Sequence, residues 1–291
     1  MKTHVPRDVE ALGHGSTIYM ARQRATRLVV FVHGFGGHAI STWQQFDMPG
    51  DRDWWAEADM LFVGYDSLHE NTLGVVHRLL HVFPDFFPLV PEKFRFVLGM
   101  PIRDGSDPYD ELILVGHSLG GVILRRLVVA LTKEWHEAAS RVRVGNTAEG
   151  FMKVTLAMKP PLLKARLVLF SPATQGFFPT GWLTLGELMG LGRIASFLLR
   201  KSPTYSELDP KRSQLLANTR DLTEELAKLY NRSVPALHPD VLWANPDTVV
   251  QVEDYKTDRN SNSVPGQSHV SICKPSEAYS TPWELIENGG S

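Results

Sequence analysis

The chain is short of cysteine. Among its 291 residues only Cys273 carries a thiol, so no intrachain disulfide can form and a disulfide-stapled secreted scaffold is excluded. It lacks a charge excess: 30 Lys and Arg face 32 Asp and Glu, for a formal net charge of −2. Neither nucleic acid nor an anionic membrane is implied as the main partner. It lacks any run of about 18 uncharged apolar residues, so no membrane span is expected. Residues 1–10 are polar, without the apolar core of a signal peptide, and the expected location is cytoplasmic. There is no H-E-x-x-H and no Cys/His cluster, and no G-x-x-x-x-G-K-[ST]; no metal and no nucleotide cofactor is expected. No internal repeat or low-complexity tract is present.

What remains is an ordinary globular composition, 43% hydrophobic and 21% charged, expected to form a single domain over residues 1–291. Residues 26–32 (T-R-L-V-V-F-V) form a near-continuous β-branched and aliphatic run, the pattern of a strand covered on both faces. Further strands are read at 16–21, 60–65, 111–115, 165–170 and 241–244. Helices are read near 41–46, at 72–82 from the spacing of Leu73, Val76, Leu79 and Leu80, after residue 118, and at 213–230. Strands alternating with helices give an α/β chain with a doubly wound, mostly parallel sheet.

Three motifs carry chemistry. Gly116-His117-Ser118-Leu119-Gly120 is G-x-S-x-G, placed between a buried strand and a helix. A serine on that sharp turn exposes its hydroxyl beside a helix N-terminus, where unpaired N–H groups favour developing negative charge. His33-Gly34-Phe35-Gly36-Gly37 comes directly after the first strong strand. Acyl transfer needs two backbone N–H groups aimed at the developing oxyanion; these are assigned to Phe35 and Leu119. His269 lies after the last strand read from the pattern, in a loop opened by Pro265-Gly266, where the order nucleophile, acid, base puts the general base. His33 and His117 belong to the motifs and are assigned structural roles. The acid should come after a late strand and precede His269. Asp247 fits best, with Glu253, Asp254 and Asp258 as competitors on the same approach.

With these motifs in hand, the chain resembles the α/β-hydrolase superfamily and, within it, a lipase/esterase-like branch of serine hydrolases. The resemblance rests on H-G-F-G-G at 33–37, G-H-S-L-G-G at 116–121 and S-H-V-S-I-C-K-P at 268–275. It implies a Ser118–Asp247–His269 triad, an oxyanion hole from Phe35 and Leu119, and ester hydrolysis through an acyl-enzyme. The chain departs from many relatives at Asn245-Pro246, where they carry a glycine turn.

Residues 177–199 are apolar but interrupted by Gly181, Gly186, Gly190 and Gly192. They suggest a helical cap or lid, within an insertion at about 175–235, over a pocket for hydrophobic esters, with transient lipid-surface contact. The Phe- and Pro-rich stretch 83–102 is expected to form the facing wall. Rival readings are a non-catalytic binding module on the same fold and a serine peptidase or amidase. Cys273 reads as a small buried residue and not as a nucleophile.

Overall fold

A computed structural model describes residues 4–47, 53–97, 100–101, 107–141, 159–178, 181, 202–210 and 213–289. Among the described residues the strands are β1 (His4–Asp8), β2 (Thr17–Ala21), β3 (Arg27–Val32), β4 (Ala58–Val63), β5 (Phe96–Val97), β6 (Met100–Pro101), β7 (Glu111–His117), β8 (Arg166–Phe170), β9 (Asp240–Asn245) and β10 (Asn260–Pro265). Its α-helices are α1 (Asp53–Ala56), α2 (Thr72–Val82), α3 (Leu119–Arg141), α4 (Pro203–Glu207), α5 (Gln214–Tyr230) and α6 (Thr281–Asn288).

Eight strands form one sheet in the order β1-β2-β4-β3-β7-β8-β9-β10. From β4 to β10 every neighbouring pair is parallel; β1 and β2 add an antiparallel margin. The central strands are buried along their length because both faces are covered. Their side chains alternate between two cores. Leu28, Val30 and Val32 of β3 join Leu112 and Leu114 of β7 against α2, α3 and α5. Val29 and Phe31 join Ile113, Val115, Val168 and Phe170 against Trp43, Trp55, Trp283 and Ile286. Each of these large side chains contributes roughly 1.5–3 kcal/mol by leaving water. The doubly wound architecture read from the pattern is therefore present.

Local sequence explains the helix starts. Asn71 caps α2, its Oδ1 accepting from Gly74 N at 2.7 Å. Ser213 caps α5, its Oγ accepting from Leu216 N at 3.1 Å. The segment 41–46 read as a helix is a 3-10 helix over Ser41–Asp47.

β1, β10 and α6 are among the elements that the sequence pattern does not reveal. β1 and β10 are the margins of the sheet, and the sequences H-V-P-R-D and N-S-N-S-V-P lack an apolar run because an edge strand buries little. α6 is short, yet Trp283, Leu285 and Ile286 are buried in the second core.

The expected facing wall at 83–102 is corrected. α2 starts beyond the C-terminal end of β4 and runs back, so the chain after α2 lies at the opposite end of the sheet from β7's C-terminus. Tyr109 fixes this: its N–H donates to Pro88 O at 2.8 Å, and its hydroxyl donates to Asp59, near the start of β4. Phe83, Phe86, Phe87 and Phe94 of this stretch are buried in the first core at that end. Of the expected insertion at 175–235, residues 214–230 pack as α5 against α3, through Leu216, Leu226, Ala227 and Tyr230. Residues 182–201, which hold most of the segment expected as a lid, lie outside the described residues.

A close backbone approach joins α3 to β3. A Cβ on Gly120 would overlap the carbonyl oxygen of Val32 and lie 2.6 Å from that of His33. Backbone cannot move aside cheaply, so Gly120→Ala is expected to destabilise the fold by about 2–3 kcal/mol. Urea unfolding measures this; a loss below about 0.5 kcal/mol would contradict the close approach.

Candidate active site

β7 ends at His117, α3 begins at Leu119, and Ser118 between them has φ 53°. That left-handed conformation is costly for a residue with a Cβ. It is held from several sides. Ser118 N donates to Phe170 O at 3.0 Å, and Ser118 O accepts from Gly121 N and Ala173 N, both at 3.1 Å. Gly34 passes so close that a Cβ there would lie 2.8 Å from Ser118 Cβ. The hydroxyl is turned toward a histidine from the far end of the chain.

Ser118 Oγ lies 3.0 Å from His269 Nε2, and His269 Nδ1 lies 2.8 Å from Asp247 Oδ2. The side chains of His269 and Asp247 are 2% and 0% exposed. Asp247 comes just after the cis peptide Asn245-Pro246 at the end of β9. Its other oxygen, Oδ1, accepts from Val249 N at 2.9 Å and Val250 N at 3.0 Å. Burial would raise the carboxyl's pKa; the hydrogen bond and charge of His269, with the two N–H donors, outweigh it and hold the pKa below the usual value. The carboxylate is thus a fixed acceptor, and Nδ1 must carry the hydrogen that binds it.

No family model matches the chain, and no curated protein matches it significantly in sequence. Solved structures do match in fold. Carboxyl esterase 2 from the mycorrhizal fungus Tuber melanosporum aligns over 98% of this chain and 85% of its own, with a TM-score of 0.51 at 18% identity. Carboxylesterase CesB from Bacillus subtilis aligns over 99% of this chain and 93% of its own, with a TM-score of 0.52 at 10% identity. The chain has the α/β-hydrolase fold.

Within this α/β-hydrolase fold the competing acids are engaged elsewhere. Asp254 accepts from Trp243 Nε1 at 2.7 Å, and Glu253 pairs with Arg220. Asp258 pairs with Arg125 at 2.7 Å, each side chain 1% exposed. The structure brings Asp247, and not these three, to His269.

The remaining expected residues are Leu119, at the start of α3, and Phe35, in the loop after β3. Leu119 is the first residue of α3, so its N–H has no carbonyl of the helix to bind. Phe35 is buried, between Gly34 and Gly36. Gly36 N donates to Ser67 Oγ at 2.8 Å, and Gly37 N donates to Gly34 O at 3.1 Å, fixing the loop's curl. Ser67 was missed in the sequence. Its one signal is its position just past the C-terminal end of β4, in the crevice where α/β sheets place their sites. Tyr65 was missed too: it donates to His33 O at 2.7 Å, and its ring stacks on His33 at 4.2 Å.

Two histidines flank the site as neutral groups. Burial lowers the pKa of His117 to about 3, aided by neighbouring His269. Burial likewise lowers His33 to about 4, while its Nδ1 donates to Gly34 O. Cys273 is also buried, and burial pushes its thiol up to about 12, so it holds no thiolate at neutral pH. Among the described residues no cluster of three or more His, Cys, Asp or Glu is placed to hold a metal. No helix among them is long and apolar enough to cross a membrane.

The lowered histidines set a pH dependence. An unfolded imidazole takes up its proton near pH 6.5, whereas His33 and His117 refuse it until about 4 and about 3. Between these limits the unfolded state binds more protons, so stability falls as pH falls, by about 1.4 kcal/mol per pH unit for each histidine. Urea unfolding at pH 7.5 and pH 5 is expected to show this loss, and His33→Gln is expected to reduce its slope.

Proposed function

We propose that the protein is a serine hydrolase that cleaves carboxylic esters, hydrophobic ones above all, through an acyl-enzyme. The observation that carries this reading is the hydrogen-bonded series Ser118–His269–Asp247, anchored at a serine with positive φ. In this mechanism His269 Nε2 takes the hydroxyl proton while Ser118 Oγ attacks the ester carbonyl. Asp247 keeps the hydrogen on Nδ1 and offsets the charge of the imidazolium. The N–H groups of Phe35 and Leu119 stabilise the oxyanion. The imidazolium then gives its proton to the leaving alcohol. Water, activated by the same histidine, releases the acid and restores Ser118.

Two further points support an ester substrate and an apolar acyl site. The two structural relatives bear the names carboxyl esterase and carboxylesterase. The sequence between β8 and α4 is rich in Leu and Phe, and Phe177 within it is buried and pairs with Val250 beside the Asp247 loop. A lone cysteine kept as a buried thiol fits a reducing, cytoplasmic setting.

Fluorophosphonate labelling of the wild type, Ser118→Ala and His269→Ala, with p-nitrophenyl ester hydrolysis measured on each, tests the reading. The wild type is expected to label and to turn over; both variants are expected to lose at least about 10⁴-fold in kcat/KM. Asp247→Asn is expected to lose about 10³-fold or more, because an amide can favour the wrong tautomer. Turnover should rise from acetate toward longer acyl chains. A folded wild type that neither labels nor hydrolyses any ester would sink the proposal.

A further inference from the structure

His117 precedes the serine and has no part in the proton transfers described above. Its side chain is buried, yet it makes a long-range bond. Nε2 lies 2.7 Å from the main-chain oxygen of His269. A carbonyl oxygen only accepts, so Nε2 carries the hydrogen and donates it. The two imidazole rings sit 4.9 Å apart, and the edge of Trp43 backs His117 at 6.4 Å.

The base stands on a loop, not on a strand. Gly266 N donates to Asn245 O at 3.0 Å before it, and Ser271 N and Ile272 N donate to Ser268 O beyond it. At residue 269 itself the main chain is held by His117. A closed circuit results: the peptide link from Ser118 to His117, the bond from His117 to His269 O, and the bond from His269 Nε2 back to Ser118 Oγ.

We infer that His117 is a positioning residue, whose Nε2–H fixes the main chain of His269 and thereby sets the distance and angle between base and nucleophile. This rests on the proposed hydrolase reading for its catalytic consequence, and on geometry alone for the tether. A neutral donor suits the place. A lasting cation 4.9 Å from His269 would oppose the imidazolium, and burial holds His117 uncharged. Gly34 is part of the same arrangement, since a Cβ there would stand 3.0 Å from His117 Nδ1.

The test compares His117→Phe, which keeps an aromatic ring but removes the donor, with His117→Gln, whose amide can restore it. His117→Phe is expected to lower kcat on a p-nitrophenyl ester by about 10- to 100-fold, with KM within about twofold. The rate of fluorophosphonate labelling should fall in parallel, and His117→Gln should recover most of both. Equal loss in the two variants, or wild-type kcat in His117→Phe, would overturn the inference. Amide hydrogen exchange across residues 266–273 reads the tether without turnover: protection there should fall in His117→Phe and return in His117→Gln, with exchange in β3 and β7 unchanged. Unchanged protection would overturn the tether. An inactive, unlabelled wild type would instead overturn the hydrolase reading, and exchange would still decide the tether.

Discussion

Everything at the centre of this molecule depends on one close approach of backbones. β3 passes under the start of α3 with no room for a Cβ at Gly120, and the loop after β3 brushes Ser118 at Gly34. That contact fixes the serine in a left-handed conformation, which nothing local would favour. It also brings the loop holding Phe35 beside the residue after the serine. The packing of two cores on either side of the sheet holds β3 and β7 in register. The strain at Ser118 is therefore held against buried strands, and the geometry of the site is inherited from the core.

The electrostatics obey the same logic of separation. Asp247 is ionised because two N–H donors and an imidazole replace its lost water. His33 and His117 stay neutral because burial removes the water a charged imidazole needs, and their carbonyl partners offset only part of that. One imidazole is thus left beside a carboxylate while two others serve as shaped donors. Three histidines with similar intrinsic chemistry are sorted by surroundings into different tasks.

Much of this was legible in the sequence, for physical reasons. β3, β4, β7 and β8 are buried on both faces and read as apolar runs. The bounds of α2 come from its apolar spacing and its Asn71 cap. Ser118 and His269 stand out by the strand–turn–helix context and by chain order. The acid did not: Asp247, Glu253, Asp258 and Asp254 are all acids in one connection, and only tertiary partners such as Trp243 and Arg125 divert the others. Ser67 and the tether from His117 were invisible because each works through a single hydrogen bond to distant backbone. The stretch 83–102 was expected at the wrong end of the sheet although its place could be read from chain order. A helix after a parallel strand carries the chain back to where the strand began.

At the margins of the sheet, β10 exposes Ser261, Asn262 and Ser263 and closes on Pro265, while β1 exposes Pro6 and Asp8. Strands so hydrophilic and interrupted by imino acids make poor templates for a foreign strand. Lateral addition of one sheet to the next, a route from a wide parallel sheet to fibrils, is disfavoured at both ends. A broad, strongly apolar sheet is thus bounded on both sides by strands that discourage further pairing.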